Sequence, residues 1–376
     1  MDRGNEDPFR ESEVLKTQLE RDIYFLKKTF SLAKRAEGFT SPNPLVGALF
    51  IKNKRVVSYG YHRQAGKLHA EIKALKAAKE SLRGSTLYIN LEPCYHFGRT
   101  PPCVDEIIKK GIKRVVIATA DPNPEVKGKS IKKLKKAGIK VQLDLCKKEA
   151  QKLNEVFFKN MTRKIPFVVA KVAQSLDGKI ATRKGISQWI TSSSSREFSK
   201  GLRDKYDCVL IGANTLIKDN PRLDGLKRSP VKAIISPRLN LPLDSYLLQK
   251  NSHKLIIFAS DKSRDRRKKI SAKVKVFFLK ENKGWLPVKK ILEILYSLGI
   301  MSVFVEGGAQ TLGQFFIKKE VDKVFFFISP KVIGGDNALG SIGAEGFPTP
   351  GTAPYLEDLK IKRIGEDILI WGYPQY

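Results

Sequence analysis

A histidine, a glutamate and two cysteines in the first third of the chain could together hold a metal ion and move protons beside it. These residues are His69, Glu71, Cys94 and Cys103. One imidazole and two thiolates make three ligands, and catalytic zinc typically takes three protein ligands and leaves its fourth tetrahedral position to water. A metal lowers the pKa of such a water, and a nearby carboxylate can carry its protons. The residue types predict a hydrolytic zinc site in which Glu71 is the proton carrier and not a ligand.

The order of these residues narrows the kind of zinc site. His-x-Glu followed by Pro-Cys and a second Cys is typical of zinc-dependent base deaminases. Eight residues separate Cys94 from Cys103, where the common signature has two. Taken singly, a histidine is usually a surface or core residue, and a cysteine is usually a small buried hydrophobe. The complete set in the right order favours the metal site.

The surrounding sequence predicts the elements that must position these side chains. His69 opens an apolar run with helical spacing that we predict to end at Gly84, and residues 86–91 alternate like a strand that leads to Cys94. Because positions i and i+2 do not share a helix face, His69 must lie at the very first turn. Cys103 follows two prolines, so we predict it at a helix N-terminus, where the helix dipole favours the thiolate.

Longer motifs in the chain resemble one family, the bifunctional riboflavin-biosynthesis deaminase-reductases. The motifs occur in the family's order and extend the resemblance over nearly the whole chain after about residue 22. They are SPNPLVG at 41–47, EPCYHFGRTPPC at 92–103, KVAQSLDGK at 171–179, SQWIT at 187–191, NPRL at 220–223 and VEGG at 305–308.

This resemblance implies a fold, two cofactors and two reactions. The expected fold class is α/β, with an N-terminal cytidine-deaminase-like α/β/α sandwich and a C-terminal dihydrofolate-reductase-like α/β domain. One Zn2+ per chain would serve hydrolytic deamination of a diamino-ribosylaminopyrimidinone 5′-phosphate. NADPH would then serve reduction of the ribosyl group to ribityl. The implied pathway is riboflavin biosynthesis.

The resemblance also implies which residues contact small molecules. It places Asn43, His62 and Arg99 near the pyrimidine or its phosphate. The residues that would border NADPH are Ala173, Trp189, Thr215, Asp219, Gly308, Ala309, Gln310, Thr311, Leu312, Gly313 and Gln314. Those that would face the sugar-phosphate substrate of the reductase are Ser187, Arg203, Leu223 and Glu306. Ordinary alternatives remain, such as core packing for Trp189 and a turn cap for Asp219.

The loop after Leu223 departs from the family. The family usually has an arginine three residues beyond this leucine, which grips the substrate phosphate, but this chain has Leu226 there. Gly225 permits a backbone detour that could present Arg228 instead, whereas Lys227 lacks the bidentate fork of an arginine. We predict that Arg228 binds the phosphate. The alternative is that Arg228 is a solvated loop residue and Arg203 holds the phosphate alone.

Alternating helices and strands predict two α/β domains. The expected divisions are an N-terminal extension (1–22), a zinc deaminase domain (23–163) and a reductase domain (164–376). In the second domain, the strand at 302–305 runs into two glycines and a helix, which permits a phosphate at the helix N-terminus. Such a pattern is also common in ordinary turns, and no G-x-G-x-x-G motif stands in a suitable context. The identity of the nicotinamide cofactor therefore rests on the resemblance.

The composition is that of a globular enzyme. The chain has 376 residues, of which 41% are hydrophobic and 29% charged. No apolar stretch is long enough to span a bilayer, and the first twenty residues lack the apolar region of a signal peptide. We therefore expect a cytoplasmic protein with no membrane association, with Cys146 and Cys208 as buried thiols. A homo-oligomer is also expected.

The net positive charge is compatible with two alternative functions. Seventy Lys and Arg against thirty-eight Asp and Glu give +32, which could indicate a tRNA-type nucleic-acid deaminase with an accessory domain or a non-catalytic RNA-binding protein on a deaminase scaffold. The excess is spread along the chain, and the densest basic run, 262–269, has no aromatic residue for base stacking. The long cysteine spacing disfavours the first alternative, and the intact Glu71 disfavours the second. We expect a phosphorylated pyrimidine as substrate and no nucleic-acid partner.

Overall fold

Strands whose side chains alternate between two buried faces form one central sheet in each half of the chain. A computed structural model describes residues 17–95 and 101–376. The chain divides into two units, Met1–Arg163 and Lys164–Tyr376. No helix in the described ranges is long and apolar enough to cross a membrane.

The first unit is built on a five-stranded sheet. Its elements are α1 (Gln18–Lys34), β1 (Gly47–Lys52), β2 (Arg55–Tyr61), α2 (Ala70–Ala77), β3 (Thr86–Ile89), α3 (Cys103–Lys109), β4 (Arg114–Ile117), α4 (Lys129–Lys136), β5 (Lys140–Leu143), α5 (Lys147–Leu153) and α6 (Glu155–Arg163). The strand order is β2-β1-β3-β4-β5. Strand β1 is antiparallel to both of its neighbours, and β3, β4 and β5 are parallel.

The alternation of residues in β1 shows how this sheet is covered on both faces. Ala48 and Phe50 pack into a core with residues of α2, α3 and α4. Leu49 and Ile51 point to the other face and pack with residues of α1 and with Ala150 of α5. Helices therefore cover both faces, and the first unit is the predicted three-layer α/β/α sandwich.

The second unit is built on a nine-stranded sheet. Its elements are β6 (Phe167–Ser175), α7 (Ser193–Arg203), β7 (Cys208–Gly212), α8 (Ala213–Asp219), β8 (Val231–Ile235), α9 (Tyr246–Lys250), β9 (Leu255–Ser260), β10 (Lys275–Leu279), α10 (Val288–Ser297), β11 (Ser302–Val305), α11 (Ala309–Ile317), β12 (Lys323–Ser329), β13 (Tyr355–Ile364) and β14 (Asp367–Gln375). The strand order is β10-β9-β8-β7-β11-β6-β12-β14-β13.

The direction of these strands decides where a ligand can bind. All strands from β10 to β12 are parallel, and only β14 is antiparallel to its neighbours β12 and β13. Strands β7 and β11 are buried along their whole length, as expected of parallel strands covered on both faces. The carboxyl ends of parallel strands lie along one edge of the sheet, and ligands of α/β folds bind outside that edge.

One predicted helix has different bounds in the structure, and a second helical stretch is interrupted. The helix that follows His69 ends at Ala77 and not at Gly84, because the backbone at Ala78 is already extended (φ −67°, ψ 127°). The last two helices of the first unit, α5 and α6, are separated only by Asn154. The side chain of Asn154 accepts from the backbone N–H of Leu45 and donates to its carbonyl. These two hydrogen bonds stabilise the interruption between α5 and α6.

Candidate functional sites

The three predicted metal ligands come together in the first unit. His69 immediately precedes α2 with an extended backbone, and Cys103 is the first residue of α3. The Nδ1 atom of His69 lies 3.5 Å from the Sγ atom of Cys94 and 3.3 Å from that of Cys103. Zn–N and Zn–S bonds of normal length in a tetrahedron separate these atoms by about 3.5 Å. The ligand atoms therefore stand where a tetrahedral zinc ion needs them.

The charge state of the two thiols also suits a cation. The hydrogen bond with Cys103 lowers the pKa of the Cys94 thiol to about 4, and the backbone N–H of Cys103 donates to the same sulfur at 3.2 Å. The same pairing raises the pKa of the Cys103 thiol, because a second thiolate would be repelled by the first. A divalent cation between the sulfurs removes that repulsion, so this donor set fits Zn2+.

Glu71 lies beside the ligands without being one of them. It is buried in the first turn of α2, and burial raises the pKa of its carboxyl group to about 7. The carboxyl group hydrogen-bonds the Cys103 thiol, whereas the three ligand atoms that lie within 4.8 Å of one another belong to His69, Cys94 and Cys103. A carboxyl group with this pKa can take up and release a proton near neutral pH.

Close packing of α2 on β2 fixes His69 and Glu71. A Cβ atom at Gly60 of β2 would lie 2.5 Å from the carbonyl oxygen of Ala70 and 2.6 Å from the backbone nitrogen of Ala74. Only a glycine at this position lets the first turn of α2 approach the strand so closely. The start of the helix is therefore set by backbone contact with the sheet.

Asn43 and His62, two of the residues expected near the pyrimidine, lie next to the metal ligands. The His62 ring is 5.6 Å from the His69 ring, and its Nδ1 atom is 3.1 Å from the Leu68 carbonyl. A carbonyl can only accept, so Nδ1 is the protonated nitrogen, and burial lowers the pKa of His62. The Nε2 atom must then accept from the Asn43 amide nitrogen at 3.1 Å. Arg99, the third of these residues, lies outside the described residues.

Glu92 is a buried residue of this site that we did not predict from the sequence. Its carboxylate accepts four backbone N–H groups, those of Asp121, Gly128, Ser130 and Ile131. Helix α4 begins after Gly128, which has no side chain to cap it. Glu92 therefore satisfies the N-terminus of α4 and anchors the segment that carries Cys94. The sequence signal was a glutamate directly before Pro93-Cys94.

The second unit contains one large cavity at the carboxyl ends of its parallel strands. Its volume is about 1300 Å³. That exceeds the roughly 300–1,000 Å³ of most small-molecule sites and leaves room for a dinucleotide and a second ligand. Most of the predicted reductase residues line it, namely Ala173, Ser187, Trp189, Arg203, Thr215, Asp219, Leu223, Glu306, Gly308, Ala309, Gln310, Thr311 and Leu312.

Three predicted residues do not line this cavity. They are Arg228, Gly313 and Gln314. A Cβ atom at Gly313 would lie 2.1 Å from the carbonyl oxygen of Gly343, so this glycine packs against another segment. The Arg228 guanidinium donates to the carbonyl oxygen of Asp204 at 3.1 Å, and the Arg228 backbone N–H donates to the Asp204 carboxylate. A phosphate contact by Arg228 stays a prediction, which requires this loop to open.

One wall of the cavity fits the phosphates of a nicotinamide dinucleotide. Gly308 caps the N-terminus of α11, and its N–H donates to the Thr215 hydroxyl at 2.9 Å. The first N–H groups of a helix have no intrahelical partner and bind anions. A Cβ atom at Gly212 would lie 2.5 Å from the Thr311 hydroxyl oxygen. A glycine at this position therefore leaves space for the phosphates at the N-terminus of α11. The lining residues thus fit NADPH.

A charged network crosses the floor of the cavity. The Glu306 side chain is 7% exposed and accepts from both Nε and a terminal nitrogen of Arg203, the latter at 2.9 Å. Lys171 Nζ lies 4.0 Å from Glu306. Burial alone would raise the pKa of Glu306, but Arg203 and Lys171 hold it below its ordinary value. We did not predict Lys171 from the sequence, although a lysine within the apolar run at the start of β6 was the signal.

Comparisons with known proteins match both units to described families. Residues 166–370 match the model of the RibD C-terminal domain, and residues 19–119 match the cytidine and deoxycytidylate deaminase zinc-binding region. The riboflavin biosynthesis protein RibD of Aquifex aeolicus (strain VF5) is 42% identical over 357 residues, which are 94% of this chain and 98% of that protein. RibD of Escherichia coli (strain K12) is 32% identical over 93% of this chain and 98% of its own length.

Solved structures are similar over the same length. The crystal structure of a diaminohydroxyphosphoribosylaminopyrimidine deaminase/5-amino-6-(5-phosphoribosylamino)uracil reductase from Thermotoga maritima has a TM-score of 0.86 at 35% identity. The match covers 96% of this chain and 100% of the Thermotoga maritima chain. Acinetobacter baumannii RibD has a TM-score of 0.85 at 32% identity, with the same coverage. The likeness therefore includes both units.

Proposed function

Because this chain belongs to the family of bifunctional riboflavin-biosynthesis deaminase-reductases, we propose that its two sites act in turn on one phosphorylated pyrimidine. The chain is a zinc-dependent deaminase and an NADPH-dependent reductase of riboflavin biosynthesis. By likeness to the Thermotoga maritima enzyme, its first substrate is a diaminohydroxyphosphoribosylaminopyrimidine, and its second is the 5-amino-6-(5-phosphoribosylamino)uracil that deamination forms.

The deaminase assignment rests on one observation, the tetrahedral spacing of His69, Cys94 and Cys103 beside the buried carboxyl group of Glu71. His69, Cys94 and Cys103 would hold Zn2+, which would make a bound water acidic enough to attack the amino-bearing ring carbon. Glu71 would carry one proton from that water to the ring nitrogen, and then a second proton from the hydroxyl group added to the ring carbon to the amino group, which leaves as ammonia. The raised pKa of the Glu71 carboxyl group suits both the uptake and the release of a proton.

We assign recognition of the pyrimidine to Asn43, oriented by His62. Since the amide nitrogen of Asn43 donates to Nε2 of His62, its carbonyl oxygen is directed away from His62. That oxygen can accept from an N–H group of the ring or from its exocyclic amino group. His62 itself acts through Asn43 in this proposal and fixes which end of the amide meets the substrate.

We assign the reductase chemistry to the cavity of the second unit. NADPH bound there would supply the hydride that reduces the ribosyl group at C1′ to ribityl, with the accompanying proton taken from solvent. The first turn of α11 and Gly308 would hold the cofactor phosphates, with Ala173 and Trp189 nearby. Arg203 and Glu306 would meet the sugar-phosphate substrate, and Asp224, whose carbonyl accepts from Arg203, braces that arginine. The remaining lining residues position the two ligands and exclude water.

Three further properties are proposed. A phosphorylated small molecule, and not a nucleic acid, is the partner, and the match of the whole chain to deaminase-reductases supports this. A cytoplasmic location stays a proposal, in keeping with the unpaired thiols of Cys146 and Cys208, of which Cys208 is buried as predicted and Cys146 is only half-buried. A homo-oligomer is proposed from the family resemblance alone.

The experiment that tests the function supplies purified, zinc-loaded protein with the phosphorylated diaminopyrimidine, with and without NADPH. We expect ammonia release in both reactions, and NADPH oxidation only after deamination has begun. The same protein incubated with tRNA and single-stranded DNA should release no ammonia. Deamination of nucleic acid without NADPH oxidation would instead support the tRNA-type alternative.

A further inference from the structure

Lys232 is a buried cation that the proposed function does not use. Its side chain lies in β8 and is 0% exposed, and it does not line the cavity. The Nζ atom donates to Oδ1 of Asp224 at 2.8 Å and to the hydroxyl group of Ser229. A buried ammonium group is costly unless it is paired, so these partners are what keeps the charge inside the fold. Any effect of Lys232 on a ligand must pass through them.

Asp224 joins this buried lysine to the cavity wall. It lines the cavity, and its side chain is 36% exposed. Burial alone would raise the pKa of Asp224, but the hydrogen bond from Lys232 holds it below its ordinary value. The carboxylate is therefore ionised at neutral pH. The backbone carbonyl of Asp224 accepts from a terminal nitrogen of Arg203 at 2.9 Å, so this one residue contacts both cations.

Arg203 has donors left for a ligand. A guanidinium group has five N–H groups. Glu306 accepts from two of them, and the Asp224 carbonyl accepts from a third. Within the described part of the chain, these contacts leave two N–H groups on a residue that lines the cavity. Two N–H groups are enough to bind two oxygens of a phosphate.

The charges around Arg203 are closely balanced. The cations are Arg203, Lys171 and Lys232, and the carboxylates are Glu306 and Asp224. Three positive charges against two negative charges leave a sum of +1, which favours a phosphate. Without Lys232 the sum would be zero, and an uncompensated Asp224 carboxylate would repel the phosphate. Such repulsion is stronger at a partly buried site than in water.

The loop that carries Asp224 is also held by contacts that do not involve Lys232. The carboxylate of Asp204 accepts from three consecutive backbone N–H groups of this loop, those of Leu226, Lys227 and Arg228. The loop backbone, and with it the Asp224 carbonyl, should therefore stay in place when the charge of Lys232 is removed. The effect of the charge can be measured apart from the fold of the loop.

We propose that Lys232 is a positioning residue of the reductase, which neutralises the Asp224 carboxylate so that Arg203 can bind the phosphate of the substrate. Lys232 contacts neither the substrate nor the cofactor and acts only through Asp224. It should therefore affect binding of the phosphate and not transfer of the hydride. This inference deepens the proposed function and rests on it.

The test measures the KM of the reductase for supplied 5-amino-6-(5-phosphoribosylamino)uracil, with full-length protein and NADPH. Lys232→Met keeps a long unbranched side chain but removes the charge. We expect the KM to rise about tenfold, with kcat and the Kd of NADPH within about twofold of the wild type. The KM for the dephosphorylated substrate should change less than about twofold, because Asp224 then has no phosphate to repel. A purely structural defect would weaken both substrates.

Lys290→Met is the matched control. Lys290 pairs with Glu293 at 3.0 Å on α10, and neither residue lines the cavity. The same change there frees a carboxylate away from the site, and it should leave both KM values within about twofold of the wild type.

The double variant Lys232→Met/Asp224→Asn gives a second arm. It removes the freed carboxylate, keeps the backbone carbonyl that accepts from Arg203, and returns the sum of charges to +1. The KM for the phosphorylated substrate should return to within about threefold of the wild type. Because neither charge of the pair remains, this variant tests the proposal even where the single variant does not fold.

Three results would overturn the role of Lys232. They are an unchanged KM in Lys232→Met, an equal rise for the phosphorylated and dephosphorylated substrates, and a KM of the double variant that stays about tenfold above the wild type. Wild-type protein that does not oxidise NADPH with the supplied substrate would instead contradict the reductase function on which this inference depends.

Discussion

At the scale of single residues, Glu71 and Cys103 should separate proton transfer from metal binding. Glu71→Gln keeps the shape of the side chain but cannot carry a proton, so we expect about one zinc per chain and a loss of deamination by several orders of magnitude. Cys103→Ser removes a thiolate ligand and should lower the zinc content as well. Metal analysis of the purified variants, together with an ammonia-release assay, measures both properties. Normal deamination by Glu71→Gln would show that the proton carrier is misassigned.

A second residue-scale prediction concerns the orientation of Asn43. Asn43→Asp cannot donate to Nε2 of His62, so the oriented contact with the substrate should be lost. We expect the KM of the deaminase substrate to rise about 10- to 100-fold, with zinc content and the KM of the reductase substrate unchanged.

Asn53→Asp is the matched control for that variant. Asn53 is exposed in the turn between β1 and β2, with a left-handed backbone (φ 49°) that aspartate also adopts. The same chemical change there should leave the KM as it is in the wild type. If Asn43→Asp lowers kcat without raising KM, Asn43 does not act in substrate recognition.

At the scale of elements, one ion pair docks α1 on the sheet of the first unit. Asp22 of α1 accepts two hydrogen bonds from Arg114 of β4 at 2.7 and 2.6 Å, and one from the Tyr88 hydroxyl of β3 at 2.7 Å. Burial alone would raise the pKa of Asp22, but these donors hold it below its ordinary value of 3.8. The ionised carboxylate is therefore the form that stabilises the folded unit.

The contact between Asp22 and Arg114 should stabilise the protein at neutral pH and lose this effect in acid. A lowered pKa in the folded state stabilises the protein above pH 3.8, and the stabilisation is lost as the pH falls through the folded-state pKa. We expect Asp22→Asn to lower the free energy of unfolding by about 2 kcal/mol at pH 7. The difference in Tm from the wild type, measured by calorimetry, should shrink below about pH 4. Glu125→Gln, an exposed control, should change the Tm little at either pH.

The sequence predicted elements best where local pattern and burial agree. Strand β11 is a short, mostly apolar run and was predicted at its observed bounds, 302–305, whereas β13 was not predicted. Nearly every side chain of β13 is exposed on both faces, so it has no apolar alternation to recognise. The break at Asn154 depends on two hydrogen bonds with Leu45, far away in the sequence. No local pattern contains that information.

The residues of the deaminase site also differ in whether a local sequence pattern reveals them. His69, Glu71, Cys94 and Cys103 form a compact motif whose spacing follows from the chemistry. Glu92 stands directly before Pro93-Cys94, but the backbone N–H groups that it binds cannot be identified from residue types, and so its role became visible only in the fold.

At the scale of the whole molecule, the net charge of +32 should affect encounter with phosphorylated ligands. Salt screens such long-range attraction, with a Debye length near 10 Å at about 0.1 M. We expect kcat/KM for the phosphorylated deaminase substrate to fall several-fold between about 0.05 and 0.5 M salt. The dephosphorylated analogue serves as the control, and its kcat/KM should change little. Equal salt dependence of both substrates would exclude attraction of the phosphate as the cause.

The last prediction follows from the division of the molecule into two units, each with its own sheet, core and candidate site. A fragment that begins near Arg163 contains all the strands of the nine-stranded sheet and the whole lining of its cavity. We expect it to fold and to reduce the deaminated intermediate with NADPH, more weakly if an oligomer contact is lost. Zinc chelation of the full-length protein should abolish ammonia release and leave reduction of supplied intermediate intact, because the three ligands lie in the first unit. Reduction that disappears on chelation would mean that the second site depends on the metal of the first.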